Sequence, residues 1–143
     1  MKKYINISMI YAIVAMVGGV FYREFSKFND FEGITMLSKV HTHLFMLGML
    51  VFLIVALFDR NNDLNSLKTF RVFMWIYNIG ISLTAVMMVV RGIIQVRKCE
   101  ISSAVNSSIS GIAGIGHILT GVGIILLLVS LKRIDKDEVS INE

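Results

Sequence analysis

The chain contains no proline and a single cysteine, Cys99, and only 17% of its 143 residues are charged. One cysteine cannot form an intramolecular disulfide, so a disulfide-stapled fold is excluded. The lack of proline leaves long helices uninterrupted. Because 55% of the residues are apolar and the mean hydropathy is +0.73, the chain has less charged surface than a soluble domain of this length needs.

The few charges are bunched, which leaves long segments without any Asp, Glu, Lys or Arg. Three such segments cover residues 4–22, 40–58 and 72–90, and the apolar part of a fourth covers about 109–131. Each is close to the ~20 helical residues that cross a bilayer core, and helices satisfy their own backbone groups in lipid. The pattern predicts an all-α, integral membrane four-helix bundle, formed as a single domain over residues 1–143.

The charged segments indicate the topology. Residues 1–3 resemble the start of a signal peptide, but no small-x-small cleavage site follows the apolar run, so we expect a retained helix. Lys and Arg are slightly more numerous on the side of the N-terminus, which favours a cytoplasmic membrane protein with both termini in the cytoplasm. A net charge of +4 is ordinary for membrane-flanking loops and gives no reason to expect a nucleic-acid partner. Asn106, Ser107 and Ser108 are the predicted caps of the fourth helix.

All three histidines of the chain lie in the second and fourth spans, at His41, His43 and His117. If these spans begin near residues 34 and 108, each histidine lies about 13 Å below the outer end of its helix. Imidazoles at a common membrane depth predict a functional site, since unpaired ionisable groups are costly there. The alternative is that each histidine only hydrogen-bonds a neighbouring helix.

The spacing of the histidines indicates which kinds of ligand site they can form. His41 and His43 are two residues apart and therefore project about 200° from one another on a regular helix. A compact zinc or copper site made of all three histidines is disfavoured for this reason. Two separate sites, or one site and one interhelical hydrogen bond, fit the spacing better.

Small residues surround His117 within the run GIAGIGHILTGVG. Gly114 and Gly121 lie one turn before and after it. Such glycines allow close helix packing, but they also clear the space that a flat macrocycle needs around an axial histidine. Arg23 and Arg91 end the first and third spans and are candidate partners for haem propionates or simple interface anchors.

The segment HTHLF at residues 41–45, with its two histidines separated by one residue, resembles a helix of haem–copper oxidases and nitric oxide reductases. The resemblance implies two histidines that serve two different haems from opposite faces of one helix. In those enzymes the HxH helix is the second in one of three arcs of four helices. The present chain departs from them in having no histidine cluster for copper and no Asp or Glu within its spans.

A longer resemblance rests on three motifs: YREF at 22–25, HTHLF at 41–45 and SGIAGIGHI at 110–118. Together they are similar to a family of four-span bacterial membrane proteins of unknown function. That resemblance implies the architecture and no activity, so the sequence leaves open whether the protein is an enzyme.

The leading hypothesis is therefore a membrane-embedded b-type haem protein for electron transfer, or for sensing haem or a diatomic gas. His117 and either His41 or His43 are its candidate ligands, and copper or zinc is the alternative occupant. Four helices bury a macrocycle poorly, so a homo-oligomer in the lipid bilayer is expected, with a trimer by analogy to the three oxidase arcs. The rival hypotheses are a transporter or channel with a histidine-lined pathway, and a structural membrane protein whose histidines pack in the core.

Overall fold

The computed structural model describes residues 1–141 and the side chains of residues 1–134. It contains four long helices: α1 (Lys2–Phe28), α2 (Leu37–Phe58), α3 (Lys68–Val96) and α4 (Ser103–Ile141). All four are long and apolar enough to cross a membrane. A short 3₁₀ turn, Leu64–Ser66, precedes α3, and no strand occurs in the described residues. The predicted all-α four-helix membrane fold is confirmed.

The helices pack in chain order. α1 lies on α2, α2 contacts α3, and the most extensive contact joins α3 to α4. Glycine makes this last contact close: a Cβ added at Gly80 would lie 2.6 Å from the backbone nitrogen of Thr120. Close backbone approach of this kind is how membrane helices associate where lipid offers no hydrophobic gain.

One half of the bundle holds a cluster of five fully buried aromatic side chains, which we call the aromatic half. Neighbouring rings are 5.1 to 6.2 Å apart, including the T-shaped pair of Tyr4 and Phe70 at 5.7 Å. The members are Tyr4, Phe52, Phe70, Phe73 and Tyr77. The other half of the bundle, nearer the connection between α1 and α2, contains the three histidines and is called the histidine half.

Two helix starts differ from the sequence-based expectation. α2 begins at Leu37 instead of near residue 34, because a turn with Asp30 at a φ of 46° precedes it. α4 begins at Ser103, and the Ser102 hydroxyl accepts the Val105 N–H at 3.3 Å. The predicted caps at Asn106, Ser107 and Ser108 are wrong, because a polar first turn can be helical outside the lipid.

Candidate functional site

The helix that carries two of the histidines changes its winding directly after them. Residues Leu37–His43 are α-helical, and Leu44–Leu50 form a π-helix before the α-helix resumes. Gly48 lies inside this segment against α1, where an added Cβ would be 2.5 Å from the Tyr11 ring. π-Segments of this kind occur frequently at functional sites.

Hydroxyl groups from the neighbouring helices satisfy carbonyl oxygens of the π-segment. Tyr77 of α3 donates to the carbonyl of Leu47 at 2.9 Å, and Ser8 of α1 donates to that of Met49 at 2.8 Å. Hydroxyl donors of this kind stabilise irregular backbone in lipid, where no water is available to hydrogen-bond it. These two hydrogen bonds therefore fix the irregular helix at the level just below His43.

His43 of α2 and His117 of α4 face one another. Their ring centroids are 6.5 Å apart and the ring planes are nearly perpendicular, at 84°. The helices bring the two imidazoles together although His43 lies six residues from the start of its helix and His117 fourteen. The equal distances expected from the helix ends are therefore wrong, while the expected meeting of histidines from these two helices is found.

Both imidazoles are oriented by their own helices. Nδ1 of His43 lies 3.0 Å from the carbonyl oxygen of Lys39, and Nδ1 of His117 lies 2.8 Å from that of Ala113. Since a carbonyl only accepts hydrogen bonds, each Nδ1 carries the proton and donates it. In a neutral imidazole the lone pair is then on Nε2, which is the arrangement that histidine ligands of metals use.

The separation of the rings is compatible with one shared metal ion. A metal–nitrogen bond of ~2.0–2.1 Å on each side places the two ring centroids roughly 6 Å apart. The observed separation of 6.5 Å is close to this value. The separation of the two rings therefore matches the spacing of two imidazoles that share one ion.

His41 lies on a different side of α2. Its Cβ and Cγ would be 3.7 Å from a Cβ added at Gly19 of α1, so His41 faces α1 whereas His43 faces α4. Its Nδ1 is buried and has no hydrogen-bond partner among the described side chains and backbone. The divergence expected from the two-residue spacing is found, and residues 1–134 contain no group of three His, Cys, Asp or Glu side chains placed to hold a metal.

The glycines of α4 divide into two sets. Gly116 and Gly123 pack against α3, where added Cβ atoms would lie 2.6 Å from the Thr84 hydroxyl and 2.7 Å from the Tyr77 ring. Gly111, Gly114 and Gly121 would meet nothing within 4 Å. Helix packing therefore accounts for the first set only, and the second set leaves open space above and below the exposed His117.

The two candidate arginines differ in their surroundings. Arg91 of α3 donates from Nη2 to the Ser110 hydroxyl at 2.8 Å and to the Asn106 carbonyl at 3.5 Å. Ser110 lies two turns before His117 on the same face of α4, so Arg91 extends over the histidine half. Arg23 is 83% exposed and contacts Glu24 at 3.7 Å, which is no evidence that it belongs to the same site.

The family model for proteins of unknown function designated DUF2871 matches residues 1–134. The chain belongs to the DUF2871 family. Membership agrees with the uncharacterised family expected from the sequence and assigns no activity. No curated protein and no solved structure gives a significant match to the chain, and the resemblance of the HxH helix to that of the oxidases stays a prediction.

Sequence reasoning missed several residues that shape the site in this DUF2871 chain. Gly48, Tyr77 and Ser8 build and satisfy the π-segment, and Tyr11 donates to Asn78 between α1 and α3 at 2.7 Å. The available signal was the presence of tyrosine and asparagine in charge-free spans. That signal gives no partners, because pairing across helices depends on their packing.

Proposed function

We propose that the protein binds b-type haem within the membrane, with His43 and His117 as the axial ligands, and serves electron transfer. The observation that carries the proposal is the facing pair of imidazoles, 6.5 Å apart, each with its Nδ1 held by a carbonyl of its own helix. Both Nε2 atoms are thereby left to bind a metal. The proposal selects His43 from the two candidates of α2.

The number of protein ligands favours a macrocycle over a bare metal ion. Zinc sites use three or four protein ligands, whereas the described residues offer only two imidazoles here. A haem brings four in-plane nitrogens of its own and needs just the two axial ligands. Copper and zinc remain the alternative occupants that the experiment below distinguishes.

The surface of α4 supports a flat group at this position. Gly114 and Gly121 carry no side chain on the turns next to His117, and nothing lies within 4 Å of where their Cβ atoms would be. A planar ring bound to His117 would need this clearance on α4. Arg91 lies farther along the same face, bonded to Ser110, where its guanidinium could pair with a carboxylate of the bound group.

The chemistry that a bound haem supplies is reversible one-electron transfer or, with a free axial position, binding of a diatomic gas. His43 and His117 together would fill both axial positions, which favours electron transfer. Sensing of a gas or of haem itself would require one histidine to leave. The chain's own contribution is to fix the two imidazoles, through Lys39 and Ala113, and to exclude water by the surrounding apolar helices.

A second copy of the chain would complete the enclosure. His117 is exposed on the bundle surface, so a macrocycle held there would have an edge open to lipid. We therefore include a homo-oligomer in the proposal, with a trimer as the arrangement suggested by analogy to the oxidase arcs. The oligomeric state of the haem-loaded protein, measured by native mass spectrometry, tests this part independently of the ligands.

The test is the absorption spectrum of protein purified in mild detergent from haem-replete cells. We expect a Soret band that sharpens and shifts on reduction with dithionite. The band should be lost in His43→Ala and in His117→Ala and kept in His41→Ala, which is the matched control. Circular dichroism of each variant shows whether it is folded.

Three results would contradict the proposal. A colourless preparation with stoichiometric copper or zinc would favour the metal-ion alternative. A colourless and metal-free protein that stays folded without all three histidines would favour a structural role. Equal loss of the band in all three single variants would refute the selection of His43 and His117 as the ligand pair.

A further inference from the structure

A lipid-facing groove lies between α1 and α3, away from the pair of His43 and His117. It contains a cavity of about 430 Å³. The walls are mostly aliphatic, and three polar side chains lie among them: Tyr11 of α1 and Asn78 and Ser82 of α3. The groove therefore combines an apolar surface with a small polar area.

The polar area lies near the middle of the membrane. Tyr11 is nine residues from the start of α1 and Asn78 ten residues from the start of α3, which places both roughly 14–15 Å along their helices. Polar groups at this depth are costly unless they are paired or used in binding. Their position needs an explanation beyond contact with lipid tails.

Hydrogen bonds within the protein use only part of the polar capacity. Tyr11 donates to Oδ1 of Asn78 at 2.7 Å, and Nδ2 of Asn78 donates to the Met74 carbonyl at 2.6 Å. An amide NH₂ has two hydrogens, so one of the Asn78 hydrogens is left over. The exposed hydroxyl of Ser82 lies one turn farther along the same wall, next to the Tyr11 hydroxyl. The remaining Asn78 hydrogen can donate to an acceptor that enters the groove.

The groove continues as an apolar trough. A second cavity of about 330 Å³ shares Val14, Leu44, Ala85 and Val86 with the first and extends to Phe21 and Val90. A polar pocket at mid-membrane depth is thus joined to an apolar trough. Together they fit a molecule with a small polar head and a hydrocarbon tail.

We infer that this groove binds an isoprenoid quinone, with a ring carbonyl accepting a hydrogen bond from Asn78 beside Ser82 and with the tail in the trough. A phospholipid fits less well, because its acyl chains carry no acceptor at this depth and its head group lies at the interface. Leu44, which lines both cavities, directly follows His43. The groove is therefore separated from the proposed haem site by the thickness of α2, although quinone binding itself does not depend on haem.

The single tryptophan of the chain provides the measurement. Trp75 lines an adjoining cavity of about 480 Å³ together with Asn78 and Ser82. We expect decylubiquinone to quench the fluorescence of Trp75 in a saturable manner when the full chain is reconstituted in phosphatidylcholine nanodiscs. Ser82→Leu, which fills the groove, and Asn78→Leu, which removes the donor, should each weaken binding ~10-fold.

Ser107→Leu is the matched control, because it adds the same bulk at an exposed position away from the groove, and it should bind like the wild type. Non-saturable quenching that is equal in all variants would show mere partitioning into the bilayer and would overturn the inference. The Soret band, recorded on the same samples, separates the two proposals. Saturable quenching that persists in His117→Ala would support the quinone site even if the protein binds no haem. An intact Soret band without saturable quenching would refute the quinone site and leave the haem proposal standing.

Discussion

The two halves of the bundle differ in whether certain buried polar groups are hydrogen-bonded and in how closely the helix surfaces are packed. In the aromatic half the hydroxyls are paired: Tyr4 donates to Asn65 at 2.9 Å, and Ser130 to Thr69 at 2.9 Å. In the histidine half, His41 Nδ1 and the Thr84 hydroxyl are buried without partners among the described residues.

The helix surfaces show the same contrast. Rings fill the aromatic half, whereas three glycines of α4 leave empty space beside His117 in the histidine half. A fully satisfied, close-packed region contributes stability, and a region with open surfaces and free donors has the capacity to bind a ligand. We therefore expect the aromatic half to contribute more to stability than the surface around His117, which is where we propose that a ligand binds.

The largest expected effect is a loss of stability caused by a substitution in the aromatic half. Phe73 is fully buried among Phe52, Phe70 and Tyr77, so Phe73→Ala should destabilise the protein by about 3–5 kcal/mol through lost contacts and a cavity. Thermal unfolding in detergent, followed by circular dichroism, measures the loss. His117→Ala is the comparison: with haem-free protein its melting temperature should match the wild type, and a drop as large as that of Phe73→Ala would refute the division into two halves.

An intermediate effect on stability is expected to distinguish the two sets of glycines on α4. In Gly116→Ala the new methyl group meets the Thr84 hydroxyl at 2.6 Å and must push α3 away, at a cost of about 1–3 kcal/mol. Gly114→Ala meets nothing within 4 Å and should melt at or slightly above the wild-type temperature, because alanine favours helix.

A larger substitution at one of the uncovered glycines tests haem binding without disturbing helix packing. Gly114→Leu should fold normally yet lose most of the Soret band, because its side chain enters the space proposed for the macrocycle. Haem content per folded protein, measured by the pyridine haemochrome method, checks this expectation. A full complement of haem in Gly114→Leu would place the ligand elsewhere.

The smallest effect concerns the two candidate arginines, Arg91 and Arg23. Arg91→Gln removes a charge that is held at Ser110, two turns from His117 along α4, and bound haem should therefore transfer to apomyoglobin several-fold faster. Arg23→Gln is the matched control and should have no effect, because Arg23 is 83% exposed and contacts only Glu24 among the ion pairs of the described side chains. Equal acceleration in both variants would indicate a general electrostatic effect of the membrane surface.

Charge distribution and hydropathy were sufficient to predict the four helices, because the requirement for a long, uncharged helix in lipid is local in sequence. The same local reasoning placed two helix starts incorrectly, at residue 34 instead of Leu37 and at 106–108 instead of Ser103. α4 continues past the membrane boundary, where the Ser102 hydroxyl accepts an N–H of its first turn, whereas α2 starts late, after the turn at Asp30, and hydropathy registers neither feature. The divergence of His41 and His43 was predictable because it follows from helical geometry alone.

Three features of the candidate site depended on contacts between helices. The choice between His41 and His43 required knowing that α1 lies on one side of α2 and α4 on the other. The two sets of glycines on α4 have the same local sequence character, and only the position of α3 separates them. The π-segment depends on Gly48 meeting Tyr11, a pairing of residues far apart in the chain.

The sequence by itself determined that this chain crosses the membrane four times and carries three histidines within the spans, because both properties are set by residues close together along the chain. The tertiary structure decided which two histidines meet, which glycines are covered, and where polar side chains find partners. Those outcomes depend on how α1, α2, α3 and α4 pack against one another, and that packing brings together side chains that no local pattern connects.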